Sequence, residues 1–69
     1  MDIKRLGTRV RAFRKLKGYT QQELADSVGI SLAVLGAAER GNRHLEDKIL
    51  NKIADVLEVS VEELTNPST

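Results

Sequence analysis

The chain lacks the residues on which several classes of protein depend. It has no cysteine, which excludes disulfide bonds, thiolate nucleophiles and zinc-finger sites. Its single histidine, His44, has no second imidazole with which to bind a metal. No apolar run approaches the ~20 residues that cross a bilayer, and no signal-peptide pattern opens the chain. We therefore expect a cytoplasmic protein with no metal, no cofactor and no membrane segment.

Aromatic residues are scarce, at 3%, and the chain has only 69 residues. This length allows one domain, which we place at residues 1–65, followed by a flexible tail at residues 66–69. A domain of this size buries about 60% of its unfolded surface and has little room for a catalytic cleft. The neighbouring acids Glu46 and Asp47 precede a predicted helix, where they favour the positive end of its dipole. We expect no catalytic residues, and a small-molecule ligand is not expected either.

The charges are divided unevenly along the chain. Residues 1–18 carry seven cationic side chains and one acid, a net charge of +6, whereas residues 19–69 carry four cations and nine acids, a net charge of −5. This asymmetry favours one face that meets a polyanion and another that repels it. A solvated basic helix is the alternative that charge alone leaves open.

Helical spacing of apolar residues runs through the whole chain and predicts an all-α fold of five short helices around one core. Gly18 is expected just beyond the end of the first helix, where glycine adopts a left-handed backbone conformation at low cost. Glu23 and Glu63 each complete a capping box with a hydroxyl three residues earlier. The residues expected to open helices two, three and five carry a hydroxyl: Thr20, Ser31 and Ser60.

Two short capped helices joined at Gly29 form the layout of a helix-turn-helix, over about residues 21–39. With this motif, the chain resembles the lambda-repressor-like family, the Cro and Xre-type regulators of transcription. The matching residues span most of the chain: Leu6, Val10, Arg14, Gly18, residues 19–25, residues 28–31, Leu35, residues 39–41, Ile53, Ala54, Leu57, Val59 and Ser60.

The resemblance implies a compact five-helix domain that binds double-stranded DNA, with helix three in the major groove and helix two across it. In this family the start of helix two contacts phosphates, a role that falls here to Gln21, with Thr20 and Gln22 beside it. Arg43, after the third helix, matches another phosphate contact, and a solvated surface side chain is the alternative interpretation of both Gln21 and Arg43. The base-reading positions correspond to Ser31, Leu32, Ala33, Val34 and Ala37.

Members of this family often pair the positions of Arg14 and Glu39 across two helices. The resemblance therefore implies an architectural ion pair here, which locks the recognition helix to the scaffold without touching DNA. Removal of one member would strand the other charge.

The predicted recognition helix is unusual because it offers none of the side chains that read guanine or adenine through paired hydrogen bonds. Its outward arc, expected around Ala33, Val34, Gly36 and Ala37, is small and apolar. Three interpretations stay open. The helix contacts thymine methyl groups and DNA shape supplies preference, or its surface docks a protein and the motif serves only as a scaffold, or these side chains simply pack against neighbours.

A homodimer is the expected assembly on DNA, because one recognition helix reads few bases. Such a dimer would use the surface of the domain itself, and the candidate contacts are Val61, Leu64, the exposed side of helix four and Leu16. The acids of the last two helices should face away from DNA: Asp55, Glu58, Glu62 and Glu63.

Overall fold

A computed structural model describes residues 2–65, so the tail expected at residues 66–69 lies outside the described residues. Within residues 2–65 the chain forms five α-helices and no strand, which confirms the predicted fold class. The helices are α1 Ile3–Leu16, α2 Gln21–Val28, α3 Leu32–Glu39, α4 Asp47–Leu57 and α5 Val61–Thr65. None of these helices is long and apolar enough to cross a membrane.

The helix ends follow the predicted local signals. Gly18 has a left-handed φ of 82°, as expected immediately beyond the end of α1. The Ser60 hydroxyl accepts the Glu63 N–H at 2.9 Å, while the Glu63 carboxylate accepts the Ser60 N–H at 3.3 Å, completing the capping box of α5. The ends of α4 carry no such signal, because Glu46 makes no side-chain cap and Glu58 adopts a left-handed φ of 58° without being a glycine.

One hydrophobic core joins all five helices. Leu6 and Val10 of α1 are buried in it, and Phe13 packs against its edge. Leu45, in the loop before α4, is also buried, although no periodic pattern marked it. The buried apolar residues are Leu6, Val10, Leu24, Ala25, Val28, Leu35, Ala38, Leu45, Leu50, Ile53, Ala54, Leu57 and Leu64.

The crossing of α1 and α3 depends on a glycine. A Cβ atom added at Gly7 would lie 2.2 Å from the carbonyl oxygen of Ala38 and 2.8 Å from that of Glu39. The backbones of the two helices can approach this closely only because Gly7 has no side chain. This contact sets the distance between α1 and the end of α3.

The α5 helix packs against α1 and α4. Arg9 of α1 reaches its end and donates from Nε to the carbonyl oxygens of Glu63 and Leu64, at 3.1 Å each. A cation at this position satisfies carbonyls that have no partner within the helix. Arg9 is therefore directed toward α5, although it belongs to the basic first helix.

Candidate nucleic-acid interface

The α2–turn–α3 unit is held by caps that act within a few residues. The Thr20 hydroxyl accepts the Glu23 N–H at 3.0 Å, and the Glu23 carboxylate accepts the Thr20 N–H at 2.9 Å. Gly29 ends α2 in the left-handed region, with φ of 78°. The Ser31 hydroxyl then accepts the Val34 N–H at 3.1 Å and begins α3. The predicted capping box of α2 and the predicted Ser31 cap of α3 are both confirmed.

The capping box depends on the charge of Glu23. The backbone N–H of Thr20, and after it the Thr20 side chain, hold the pKa of this carboxyl below its usual value. Because the pKa of Glu23 is lower in the folded state, the stabilisation that its ionised carboxylate gives to the capping box is fully present above the unfolded pKa of Glu23. It is lost as the pH falls through the lowered, folded value.

A buried ion pair ties α3 to α1. Arg14 donates from Nε to Glu39 Oε2 at 2.7 Å and from Nη2 to Glu39 Oε1 at 3.0 Å, and the two side chains are only 8% and 2% exposed. A third nitrogen of Arg14, Nη1, donates to the carbonyl oxygen of Tyr19 at 2.9 Å. The structure thus brings together the two residues interpreted as an architectural pair.

Gln21 joins this pair from α2. Its amide nitrogen donates to Glu39 Oε1 at 3.0 Å, and the side chain is half-buried. The amide has a second N–H and a carbonyl oxygen that this bond does not use. Gln21 is therefore held by Glu39 at the start of α2, where sequence reasoning had considered only a phosphate contact or a solvated side chain.

The start of α2 offers backbone donors. Of its first four N–H groups, that of Glu23 is bonded to the Thr20 hydroxyl and that of Leu24 to the Thr20 carbonyl. The N–H groups of Gln21 and Gln22 are left over, as is usual for the first turn of a helix. The Gln22 side chain is turned along α2, where its amide donates to Asp26 at 2.9 Å. These two backbone groups, with the positive end of the helix dipole, are suited to an anion.

A groove of about 670 Å³ lies beside the start of α2, between α1 and the end of α3. Three arginines against one carboxylate give its lining a formal charge of +2. Its lining residues are Arg11, Arg14, Tyr19, Thr20, Gln21, Glu39 and Arg40. Sequence reasoning missed Arg11 and Arg40 as site residues, although the three-residue spacing of Arg11 and Arg14 on α1 could have pointed to the first.

A second, smaller groove of about 270 Å³ lies at the other end of α3. Arg43 and His44 line it together with Ser31 and Val34, and Glu46 contributes one acid. The structure therefore places Arg43 near the beginning of α3, whereas Arg40 stands at its end. Cationic side chains are present at both ends of the helix.

The outward side of α3 is apolar, as the sequence indicated, but its composition differs from the prediction at Leu32, Val34 and Gly36. Leu32 is 42% exposed, Ala33 is exposed and Ala37 is half-buried. Val34 is also half-buried, because it packs against the core. The Leu32, Ala33 and Ala37 side chains are hereafter called the apolar face of α3.

The prediction that Gly36 belongs to the outward arc is wrong. Gly36 is buried, and a Cβ atom added there would lie 3.2 Å from Nη1 of Arg40 and 3.9 Å from Nε2 of Gln21. The long Arg40 side chain folds back across this position because a glycine leaves room for it. Arg40 is thereby directed toward the start of α2.

The chain shows strong similarity to known regulators. A family model described as helix-turn-helix (HTH_3) matches residues 10–64. YazB of Bacillus subtilis (strain 168), an HTH-type transcriptional regulator, is 51% identical over 67 residues, which are 97% of each chain. SinR of the same organism is 37% identical over 60 residues, which are 86% of this chain and 54% of SinR.

Solved structures agree with the fold. The clp gene regulator ClgR from Corynebacterium glutamicum has a TM-score of 0.89 at 31% identity, over 93% of this chain and 68% of that one. SinR in complex with DNA, described as the master regulator for biofilm formation, has a TM-score of 0.83 at 35% identity. That match covers 88% of this chain and 98% of the SinR chain.

Proposed function

The chain belongs to the helix-turn-helix family of DNA-binding transcriptional regulators, and we propose that it binds by seating α3 in the major groove. In this arrangement the start of α2 and the loop after α3 contact the phosphates on either side. The observation that carries the proposal is the position of α3, which has an exposed apolar face and, near each of its ends, a groove with at least one arginine in its lining. A helix flanked by cations matches a groove flanked by two phosphate strands.

On the α2 side, the phosphate contacts would come from the backbone N–H groups of Gln21 and Gln22, with Arg11 and Arg40 lining the same groove. Thr20 lines the same groove, and its hydroxyl is engaged with both the backbone N–H and the carboxylate of Glu23, so its part is to hold the start of α2 in place. The bond to Glu39 holds the Gln21 side chain in place and leaves its second amide N–H for the same phosphate.

Near the beginning of α3, Arg43 would contact the second strand from the loop. Ser31 is exposed at the N-cap of α3, and its hydroxyl has a hydrogen to donate beside its capping bond. The exposed acids Asp55, Glu58, Glu62 and Glu63 lie on α4 and α5 or between them, and α5 packs on α1 and α4. DNA docked on α3 would therefore stay clear of α5.

Fluorescence anisotropy with labelled random duplexes, at about 50 and 200 mM salt, tests this proposal. Contact with about four phosphates would lower the affinity roughly 150-fold between these salt concentrations. Arg43→Ala should weaken binding about three- to tenfold at every sequence and reduce the salt slope by about 1. Lys52→Ala, which removes an exposed α4 cation, is the matched control and should have a smaller effect.

Two results would contradict the proposal. A folded helical protein with no affinity for DNA at about 50 mM salt would exclude it, and the apolar face of α3 would then be examined as a protein-docking surface. A tenfold or larger effect of Glu62→Lys would show that the orientation is wrong, because exposed charges beyond the Debye length of about 8–10 Å are largely screened.

A homodimer on DNA belongs to the same proposal, with two α3 helices about 34 Å apart in successive major grooves. The prediction that Leu64 is a dimer contact is wrong, because Leu64 is fully buried in the core. Val61 is half-buried and packs against the core, while Leu16 is 75% exposed. Analytical ultracentrifugation of the DNA complex should find two chains per preferred duplex, and a single chain would exclude the dimer.

A further inference from the structure

The apolar face of α3 presents no hydrogen-bonding side chain to a bound duplex. Leu32, Ala33 and Ala37 carry only hydrocarbon, and Leu32 is 42% exposed. The nearest polar neighbour, Ser31, lies outside this face at the N-cap of α3, where its hydroxyl accepts the Val34 N–H and keeps its hydrogen for the phosphate side. A base edge that meets this face must therefore be recognised by shape and apolar contact.

In the major groove the edges of the base pairs consist of hydrogen-bond acceptors and donors, with one apolar exception, the C5-methyl group of thymine. An apolar face held against guanine or adenine edges removes water from polar groups without replacing their hydrogen bonds, which is costly. When the same face lies against a methyl group, apolar surface is buried on both the protein and the base. The chemistry of the face thus selects for methyl groups.

The size and surroundings of the face agree with this occupant. Two of its three side chains are alanines, so the α3 backbone can approach the base edges closely. Arg40 and Arg43 stand at the two ends of α3, as expected if a polyanion covers the face. The Arg40 side chain folds over Gly36 toward Gln21, so that the Arg40 guanidinium is directed toward α2.

Resting on the proposed function, we propose that the apolar face of α3 recognises the C5-methyl groups of pyrimidines in the major groove. Thymine supplies this group in ordinary DNA. Cytosine methylated at C5 presents a methyl group at the same ring position, and it is the second source of the same chemistry. The preferred duplexes of this chain are then rich in one or the other at the positions under α3.

Replacement of thymine by uracil tests the proposal directly, because it removes the methyl group and keeps every hydrogen-bonding group. Duplexes that survive competition from a random pool are remade with thymine or uracil, and with cytosine or 5-methylcytosine, and their affinities are compared by anisotropy. Each contacted methyl group lost should weaken binding about fourfold, from about 0.8 kcal/mol per buried methylene-sized group. Two contacts should therefore give about a 15-fold difference between thymine and uracil.

The variant Leu32→Ser links this difference to α3. It truncates an exposed side chain of the face, and we expect the thymine-to-uracil affinity ratio to fall toward 1. Ala12→Ser changes an exposed side chain of α1, outside the apolar face of α3, and should leave that ratio unchanged. The 5-methylcytosine arm shows which source of the methyl group is preferred, since either a gain at methylated cytosine or a loss at uracil supports methyl recognition.

Several results would overturn the inference while leaving DNA binding intact: equal binding to all sequences, preferred duplexes that tolerate both uracil and unmodified cytosine without loss, or a full thymine-to-uracil ratio in Leu32→Ser. Loss of preference in Arg40→Ala without any methyl effect would assign base reading to that arginine instead. Absence of all DNA binding would overturn the inference and the proposed function together.

Discussion

The variant Ala33→Glu should bind duplex DNA about 100-fold more weakly than the natural chain, with little change in its melting temperature. Ala33, the second residue of α3, is exposed and belongs to the face proposed to enter the major groove. A carboxylate there would meet base-edge acceptors and lie between two phosphate strands, and juxtaposed like charges cost several kcal/mol. The fold should tolerate it, since an acid in the first turn interacts favourably with the helix dipole. Anisotropy and thermal unfolding measure the two effects.

The matched control is Ala12→Glu, which makes the same substitution at an exposed alanine of α1. Ala12 lines a groove on α1 with Lys4 and Arg9, and Arg9 reaches toward α5. Its variant carries the same change of net charge and should lose only a few-fold in affinity. Equal losses in the two variants would assign the effect to net charge. Natural affinity in Ala33→Glu would show that α3 does not enter the groove.

The variant Glu39→Gln should lower the free energy of unfolding by about 3 kcal/mol or more, because it leaves the buried Arg14 guanidinium without its counter-charge. The Arg14 and Glu39 side chains are 8% and 2% exposed, so water cannot replace the lost carboxylate. For a chain of 69 residues the total stability is roughly 3–10 kcal/mol, and the melting temperature should fall by about 12–24 °C. Thermal unfolding followed by circular dichroism gives this value.

Glu62→Gln is the control for Glu39→Gln, since it neutralises an exposed acid of α5 and should leave the melting temperature nearly unchanged. The double variant Arg14→Met with Glu39→Leu should recover much of the lost stability, because it removes both buried charges and keeps apolar volume. An unchanged melting temperature in Glu39→Gln would contradict the architectural role of the pair. Failure of the double variant to recover would mean that the hydrogen bonds to Tyr19 and Gln21 matter more than the paired charges.

The amino-acid sequence by itself determined the helices and most of their ends. Thr20 with Glu23 and Ser60 with Glu63 form the predicted capping boxes, Gly18 turns left-handed as expected, and Gly29 lies at the predicted turn between α2 and α3. These signals are readable because each interaction joins residues a few positions apart. The α4 helix shows the limit, since the residue just beyond its end, Glu58, has a left-handed φ of 58° that its residue type does not predict.

Only the tertiary structure decided how the candidate interface is assembled. Arg11 and Arg40 reach one groove from different helices, and Gln21 bonds to Glu39, 18 positions away. Gly36, expected outside, is buried because Arg40 covers it. Periodicity describes which side of a helix is apolar, whereas burial and pairing depend on which other helix covers that side, and with what side chains. That information lies in the packing of α1, α2 and α3 against one another, which no short window of the sequence contains.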